Sequence, residues 1–281
     1  MNQEKKEKSS MSKISYDLSI CPTCKGLGQR IYNYSPEGYE GILAYYSEPC
    51  PTCNGGLAER TLIVKKHSNI PKVFYDKNYE CFNWNIYKDN NGNIVDLSKK
   101  RKLIEDFLKN YKSSWRPEGF GLYIHSVTKG SGKTFLSSCI CNELMELYGI
   151  TTRFVNATEL LDISQSGDKN SNIEYERDPI KLLCNCELLV IDDIGQKKTG
   201  YDWLNEILFR IVDNRMTKGL VTIFTSNISL EGLNLDERVV ERISRVSVSI
   251  GLPEFNVRTR EAYDKKISFL KKIYDDDKGD K

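Results

Sequence analysis

The feature that most constrains this chain is a glycine-containing turn between an apolar run and a helical pattern. The run spans Phe120–His125, the turn spans Ser126–Thr134, and residues 135–148 follow with helical spacing. Strand, glycine-containing turn, Lys-Thr and helix is the context of a Walker A phosphate-binding loop. In such a loop, backbone N–H groups and the positive end of the next helix face phosphate oxygens. The sequence therefore predicts a nucleotide-binding α/β domain.

Within the turn, the residues expected to bind the phosphates of ATP are Gly130, Ser131, Gly132, Lys133 and Thr134. Lys133 is expected to reach the β- and γ-phosphates, and the Thr134 hydroxyl is expected to ligate Mg²⁺. Val127 stands where the motif has its first glycine. Because the second half of the loop makes most phosphate contacts, this departure weakens the sequence match more than the mechanism. An ordinary Gly-Ser turn before a helix is the alternative for this segment alone.

A second motif supplies acids in the order that this site requires. Residues 187–193 form a short apolar run that ends in Asp192 and Asp193. The run has the length of a buried parallel strand, and open α/β sheets bind ligands at the carboxyl ends of such strands. Asp192 is expected to hold Mg²⁺, directly or through water, and Asp193 to orient the attacking water. A buried strand that ends in solvated acids is the alternative, but both motifs together predict an ATPase site.

Four of the nine cysteines form two similar pairs. Cys21 with Cys24, and Cys50 with Cys53, each make a Cys-x-x-Cys turn followed by glycine. Two such turns supply four thiolates, the tetrahedral ligand set of structural Zn²⁺. A redox Cys-x-x-Cys is the competing interpretation for a single pair. We predict a four-cysteine zinc site in a small module with two short strands around a turn, and we expect the other five cysteines in or near the core.

Length and composition allow one large domain and a small module. The net charge of +2 neither indicates nor excludes nucleic-acid binding. No run approaches the ~20 apolar residues of a membrane helix, and the charged start does not resemble a signal peptide. We therefore expect a cytoplasmic protein without a membrane partner. The expected parts are a disordered tail at 1–18, the zinc module at 19–58, a linker at 59–69 and an ATPase domain at 70–281.

Helical and strand patterns alternate along the predicted ATPase domain. Helices are expected at 99–111, 135–148, from about 159, at 178–185 and at 203–216. Strands are expected at 120–125, 152–155, 187–193 and 220–225. This alternation predicts an α/β fold in three layers, with a parallel sheet wrapped by helices on both faces.

From about Ile70 onward, the chain resembles the AAA+ ATPase domain of the DnaC/DnaI helicase-loader family, whose relatives include IstB-type transposition ATPases. The segments that carry the resemblance are Ile70-Pro71, Tyr79–Phe82, Gly130–Thr134, Leu189–Gly195, Thr225–Asn227 and Leu235–Ile243. The paired cysteine turns resemble the repeats of the DnaJ-type zinc finger, with two repeats rather than four. They occupy the place of the loader's partner-binding amino-terminal domain.

The resemblance implies roles for further residues. Asn227 would act as sensor 1, Arg242 as an arginine finger that reaches a neighbouring subunit's γ-phosphate, and Arg258 as sensor 2. Arg238 and Arg245 are the other candidates for the arginine finger, and Arg260 is the other candidate for sensor 2. A surface ion pair is the alternative for each arginine. A finger acting between subunits implies a homo-oligomer that forms with ATP, and Asp193, shorter than the usual Glu, implies slow hydrolysis.

The function that the resemblance implies is ATP-dependent loading of a replicative DNA helicase onto single-stranded DNA during replication, with a phage or mobile element as one source. The zinc module would grip the helicase, the AAA+ domain would bind ATP and DNA, and ATP turnover would release the helicase. Two alternatives stay open. One is an IstB-like transposition helper, and the other is a non-catalytic zinc adaptor with a structural nucleotide.

Overall fold

A computed structural model describes residues 29–34, 44–50, 54–168, 178–195, 202–260 and 266–270. The chain divides into two compact units, Met1–Glu59 and Arg60–Lys281. The expected tail at 1–18 lies outside the described residues. Among the helices that are described, none is both long enough and apolar enough to cross a membrane.

The first unit contains an antiparallel strand pair. Strand β1 (Gln29–Tyr34) pairs with β2 (Ala44–Pro49). Cys50 follows β2 directly and is buried, and its carbonyl oxygen accepts a hydrogen bond from the Gly55 N–H at 3.3 Å. Gly55 has a φ of 72°, a left-handed conformation that favours glycine. This hydrogen bond joins the residue after β2 to the glycine that follows the second Cys-x-x-Cys pair.

Helix α1 (Leu57–Lys66) contains the residues at which the two units meet in sequence. The Thr61 hydroxyl donates a hydrogen bond to the Met145 carbonyl oxygen at 2.9 Å, and Val64 is buried. The range 59–69, which we expect to be a linker, is thus mostly helical.

The second unit is built on a parallel sheet of five strands. The strands are β3 (Gly121–His125), β4 (Thr152–Asn156), β5 (Leu188–Ile194), β6 (Val221–Ser226) and β7 (Ser247–Gly251), in the order β4-β5-β6-β3-β7. The first four confirm the strands expected from the sequence. β7 was not expected, because it starts directly after a helix with no turn residue between them and is a short edge strand.

Helices and short turns connect these strands. The helices are α2 (Ser98–Lys109), α3 (Arg116–Glu118), α4 (Lys133–Tyr148), α5 (Leu160–Gln165), α6 (Ile180–Asn185), α7 (Asp202–Thr217) and α8 (Glu237–Val246). Single 3-10 turns lie at Lys72–Phe74, Tyr79–Cys81, Trp84–Ile86, Ala157–Glu159 and Leu230–Gly232, and a π turn lies at Tyr111–Trp115. The expected helices are present, although the one predicted to reach residue 111 ends at Lys109.

The sheet separates two apolar clusters because successive strand residues face opposite sides. Leu122 and Ile124 of β3 pack in one cluster with residues of α2 and α4. Tyr123 packs in the other cluster with residues of α5, α6, α7 and α8. Leu188–Ile191 of β5 is fully buried, as a strand covered on both faces must be. The α/β fold with helices on both sides of a parallel sheet is therefore confirmed.

Candidate active site

The loop between β3 and α4 has the backbone of an anion-binding turn. Gly130 and Gly132 have φ values of 77° and 95°, in the left-handed region where glycine carries no steric cost. A Cβ on Gly130 would lie 2.7 Å from Asn256 Oδ1, so a side chain has no room there. No side chain caps α4, so the N–H groups at its start are open to an anion.

The Lys133 side chain lies folded over this loop. Its Nζ donates to the carbonyl oxygens of Ser126 and Thr128, both at 3.1 Å, and to Ser131 Oγ at 3.2 Å. Burial lowers the pKa of Lys133, and the nearby acids, Asp193 foremost, oppose that shift. The ammonium group therefore lies at the centre of the loop, where an incoming phosphate would supply a negative charge.

Asp192 lies at the carboxyl end of β5 and contacts the loop. The Thr134 hydroxyl is 3.0 Å and 3.1 Å from its two carboxylate oxygens. Thr225 Oγ1 donates to Asp192 Oδ1 at 2.5 Å. Burial raises the pKa of Asp192, and the hydrogen bonds from Thr225 and Thr134 partly offset it. A hydroxyl and a carboxylate side by side are hard oxygen donors of the kind that Mg²⁺ prefers, so the pair fits that ion.

Asp193 has an unusual backbone conformation. Its φ is 61°, and Asn69 is the only other described non-glycine residue with a positive φ. The pairing of β5 with β6 shifts register between Ile191 and Ile194, around both acids. A bulge of this kind re-aims side chains, and here Asp193 lines the cleft while Asp192 contacts Thr134. Asn227 Nδ2 donates to Asp193 Oδ1 at 2.7 Å, which joins the second acid to the end of β6.

The loop, Asp193 and Asn227 line one cleft of about 610 Å³, a size that suits a nucleotide. Asp192 is not among the lining residues, but it contacts Thr134, which is one of them. Sequence-predicted residues that line the cleft are Gly130, Ser131, Gly132, Lys133, Thr134, Asp193, Asn227 and Arg258. The other residues that line it, for which no site role was predicted, are Val73, Phe74, Lys77, Cys81, Lys129, Phe135, Thr225 and Val257. Cys81 is exposed, so its expected place in or near the core is wrong, whereas the other four cysteines of the second unit are buried as expected.

Side chains outside the motifs hold the cleft together. The Asn142 side chain on α4 donates to the carbonyl oxygens of Phe74 and Lys77, at 2.9 Å and 2.8 Å. The buried Tyr87 hydroxyl donates to the Ser131 carbonyl oxygen at 2.7 Å. The segment before α2, which forms one wall of the cleft, is therefore hydrogen-bonded both to α4 and to the phosphate loop.

The arginine-finger candidates lie on α8, and Arg242 is not among the residues that line the cleft. Arg242 Nε donates to Asp213 Oδ1 at 2.7 Å, and its guanidinium lies 4.3 Å from the centre of the Phe209 ring. Arg238 pairs with Asp236, and Arg245 with Glu241. The Arg242 side chain is 23% exposed, against 70% and 67% for the other two. Within one chain, each candidate makes the surface ion pair that was the alternative interpretation.

The predicted zinc site is not tested by the described residues. Cys21, Cys24 and Cys53 lie outside them. Within the ranges that the structure describes, no group of three or more His, Cys, Asp or Glu side chains is placed to hold a metal ion. The four-cysteine site therefore stays a prediction.

No protein-family model matches the chain. The replicative helicase loader DnaC of Escherichia coli K12 is 32% identical over 155 residues, 54% of this chain and 58% of that protein. DnaC of Buchnera aphidicola subsp. Baizongia pistaciae is 32% identical over 63% of this chain and 66% of that protein. The loader DnaI of Bacillus subtilis is 29% identical over 50% of this chain and 44% of its own length. The matched region thus spans about half to two thirds of these relatives.

Two solved structures have a fold similar to that of this chain. A candidate primosome component of Streptococcus pyogenes serotype M3 has a TM-score of 0.52 and 25% identity, covering 69% of this chain and 97% of that one. DnaA of Aquifex aeolicus bound to AMPPCP has a TM-score of 0.52 and 16% identity over 73% of this chain and 57% of that one, which shows the fold alone. The chain is thus similar in sequence to DnaC and DnaI helicase loaders, and its α/β fold matches AAA+ P-loop neighbours.

Proposed function

We propose that this protein is an ATPase that loads a replicative DNA helicase onto single-stranded DNA. The observation that carries the proposal is the cleft lined by the phosphate loop and the Asp193–Asn227 pair, with Asp192 in contact with the lining residue Thr134. The helicase partner is inferred from the similarity to the loaders DnaC and DnaI. The structure of DnaA with the ATP analogue AMPPCP in the same fold supports ATP as the nucleotide.

In this proposal the loop binds the triphosphate of ATP. The N–H groups of residues 130–134 and the start of α4 donate to phosphate oxygens. Lys133 exchanges its hydrogen bonds to the carbonyls of Ser126 and Thr128 for the β- and γ-phosphates. Thr134 and Asp192 would hold Mg²⁺, which neutralises phosphate charge when bound.

The second acid would position the nucleophile. Asp193 accepts a hydrogen bond from Asn227, so the carboxylate and the amide face the cleft as a pair. Asp193 would orient the attacking water, and Asn227 would bind that water or the γ-phosphate. Arg258, which lines the cleft, would sense the phosphate from the same subunit.

An arginine acting between subunits completes the proposed site. Arg242 would leave Asp213 and reach the γ-phosphate of a neighbouring copy, where a guanidinium stabilises transition-state charge. The proposal therefore includes oligomerisation that depends on ATP.

The test is a loading assay with purified helicase, single-stranded DNA and ATP. Lys133→Ala should lose ATP binding and loading together, whereas Lys102→Ala, which removes an exposed lysine on α2, should retain both. Full loading by Lys133→Ala would exclude an ATP-dependent loader. If the wild type and Asp193→Asn both bound ATP but neither hydrolysed it, the protein would instead be an adaptor with a structural nucleotide.

We also propose that the paired cysteines of the first unit bind zinc and that this unit contacts the helicase. Elemental analysis should find one Zn²⁺ per chain in the wild type, and Cys21→Ser should lose it. A zinc content unchanged by Cys21→Ser would contradict the set of four cysteine ligands.

A further inference from the structure

Glu254 lies in the segment that leaves β7 and passes the start of the phosphate loop. Its Oε1 accepts a hydrogen bond from the Val127 N–H at 2.9 Å, and its Oε2 accepts one from the Thr128 N–H at 2.5 Å. The Ser126 hydroxyl lies 3.3 Å from Oε1. One carboxylate therefore binds three consecutive residues at the entry to the loop.

These contacts lie at the one position where the loop departs from its motif. Val127 replaces the first glycine, and its side chain is directed to solvent, with the residue 73% exposed. Val127 is not among the residues with positive φ, so the entry to this loop does not need the conformational freedom of glycine. The carboxylate of Glu254, remote in sequence, accepts the hydrogen bonds from the N–H groups of Val127 and Thr128.

The segment that contains Glu254 continues beside the loop. The Arg258 N–H donates to the Gly130 carbonyl oxygen at 3.3 Å, and Asn256 fills the space where a side chain on Gly130 would lie. Residues 253–258 thus follow the loop from its entry to its glycine turn, with Glu254 at one end and the cleft-lining Arg258 at the other.

The hydrogen bonds also keep Glu254 charged. Burial opposes ionisation, but the bonds from Thr128, Val127 and Ser126 outweigh it and lower the pKa of Glu254. An anionic group would repel phosphates if it lay against them. At residues 126–128 it lies on the half of the loop that does not bind phosphate in the proposed site, so its charge can hold the backbone without opposing the ligand.

We infer that Glu254 is a positioning residue of the phosphate loop: it anchors Val127 and Thr128 so that the N–H groups of residues 130–134 are presented to the phosphates. The inference rests on the proposed ATP site and adds to it a residue that acts through the loop rather than on the nucleotide. It also explains how the loop tolerates valine in place of glycine.

The test compares Glu254→Ala and Glu254→Gln with Glu118→Gln, a control that removes one exposed carboxylate after the π turn. Amide hydrogen exchange by mass spectrometry reports on residues 126–132 in nucleotide-free protein, and calorimetry gives the affinity for MgATP. Glu254→Ala should speed exchange at the loop entry and weaken MgATP binding about tenfold, the effect of one lost charge-assisted hydrogen bond. Glu254→Gln should have an exchange rate and an MgATP affinity between those of Glu254→Ala and the wild type, because its amide keeps one acceptor oxygen. Glu118→Gln should match the wild type in both.

Unchanged exchange at the loop entry in Glu254→Ala would overturn the inference, as would unchanged MgATP affinity with faster exchange. Exchange that rises equally along α4 would indicate a general loss of stability and would also overturn it. A wild-type protein that binds no ATP would refute the proposed function instead, and the exchange measurement would still decide whether Glu254 anchors the loop.

Discussion

Replacing Thr225 by valine tests how the acids at the end of β5 are held. Thr225 is 1% exposed; its hydroxyl donates to Asp192 Oδ1 at 2.5 Å and accepts the Asp193 N–H at 2.9 Å. Valine keeps the shape of the side chain and loses both hydrogen bonds. The variant therefore leaves a buried carboxylate with one donor fewer and a backbone N–H without its acceptor.

The magnitude follows from these two losses. A hydrogen bond to a charged group contributes about 1.5–3 kcal/mol, and an unsatisfied buried donor costs about 1–3 kcal/mol. Because both bonds depend on one hydroxyl and the site relaxes in part, we expect the free energy of unfolding to fall by about 3 kcal/mol. In a domain of this size that corresponds to a Tm lower by about 6–12 °C.

Thr152 offers a matched control. It is 2% exposed at the first position of β4, and its hydroxyl has no hydrogen-bond partner among the described residues. Thr152→Val should leave the Tm unchanged or raise it slightly, because it removes an unsatisfied polar group. Thermal unfolding of both variants is measured beside MgATP affinity. Only Thr225→Val should weaken binding, because Thr152 lies at the opposite end of the sheet from the loop. Equal Tm shifts in the two variants would show that the Thr225 hydroxyl does not hold these acids.

Three further predictions concern other buried or paired groups. Arg215→Met should lower the free energy of unfolding by about 3 kcal/mol in a denaturant titration, because three buried carbonyl oxygens and the Thr222 hydroxyl lose the guanidinium donor; an unchanged midpoint would contradict this. Burial raises the pKa of Asp192 above 3.8, so between the two values the native state binds more protons than the unfolded state, and stability without nucleotide falls as pH rises. Asp192→Asn should flatten that slope in urea titrations, and an identical slope would speak against a raised pKa. Asn227→Ala should slow single-turnover hydrolysis about 100-fold with MgATP affinity retained, and wild-type turnover would remove Asn227 from the mechanism.

Local patterns were enough to predict most of the fold. The strands β3, β5 and β6 are mainly apolar runs of strand length, α7 has apolar residues at helical spacing, and α4 follows the glycine turn as the motif predicts. Because carboxyl ends of parallel strands meet at one edge, the loop and the acids were expected to lie together, and Thr134 lies 3.0 Å from Asp192. β7 was not predicted although Val246, Val248 and Ile250 alternate with serines, the period of a half-buried strand, because α8 runs into it without a turn.

The supports of the site could not be predicted, because they depend on tertiary contacts. Glu254 lies 126 residues from Thr128 in sequence, and Asn142 lies 68 residues from Phe74. Tyr87 reaches Ser131 from before α2. No motif contains these residues, and the left-handed conformation of Asp193 has no signature in an apolar run. Sequence motifs predicted the groups expected to act on the nucleotide, and the structure adds those that hold them in place.

A crystal structure of the protein with Mg²⁺ and a non-hydrolysable ATP analogue tests the proposed nucleotide site most directly. The β- and γ-phosphates should lie against the N–H groups of residues 130–134, Lys133 should turn from the Ser126 carbonyl to the phosphates, and Mg²⁺ should lie at Thr134 and Asp192. A nucleotide bound elsewhere, or a cleft that stays empty at saturating analogue with Lys133 still on Ser126, would contradict the proposed site.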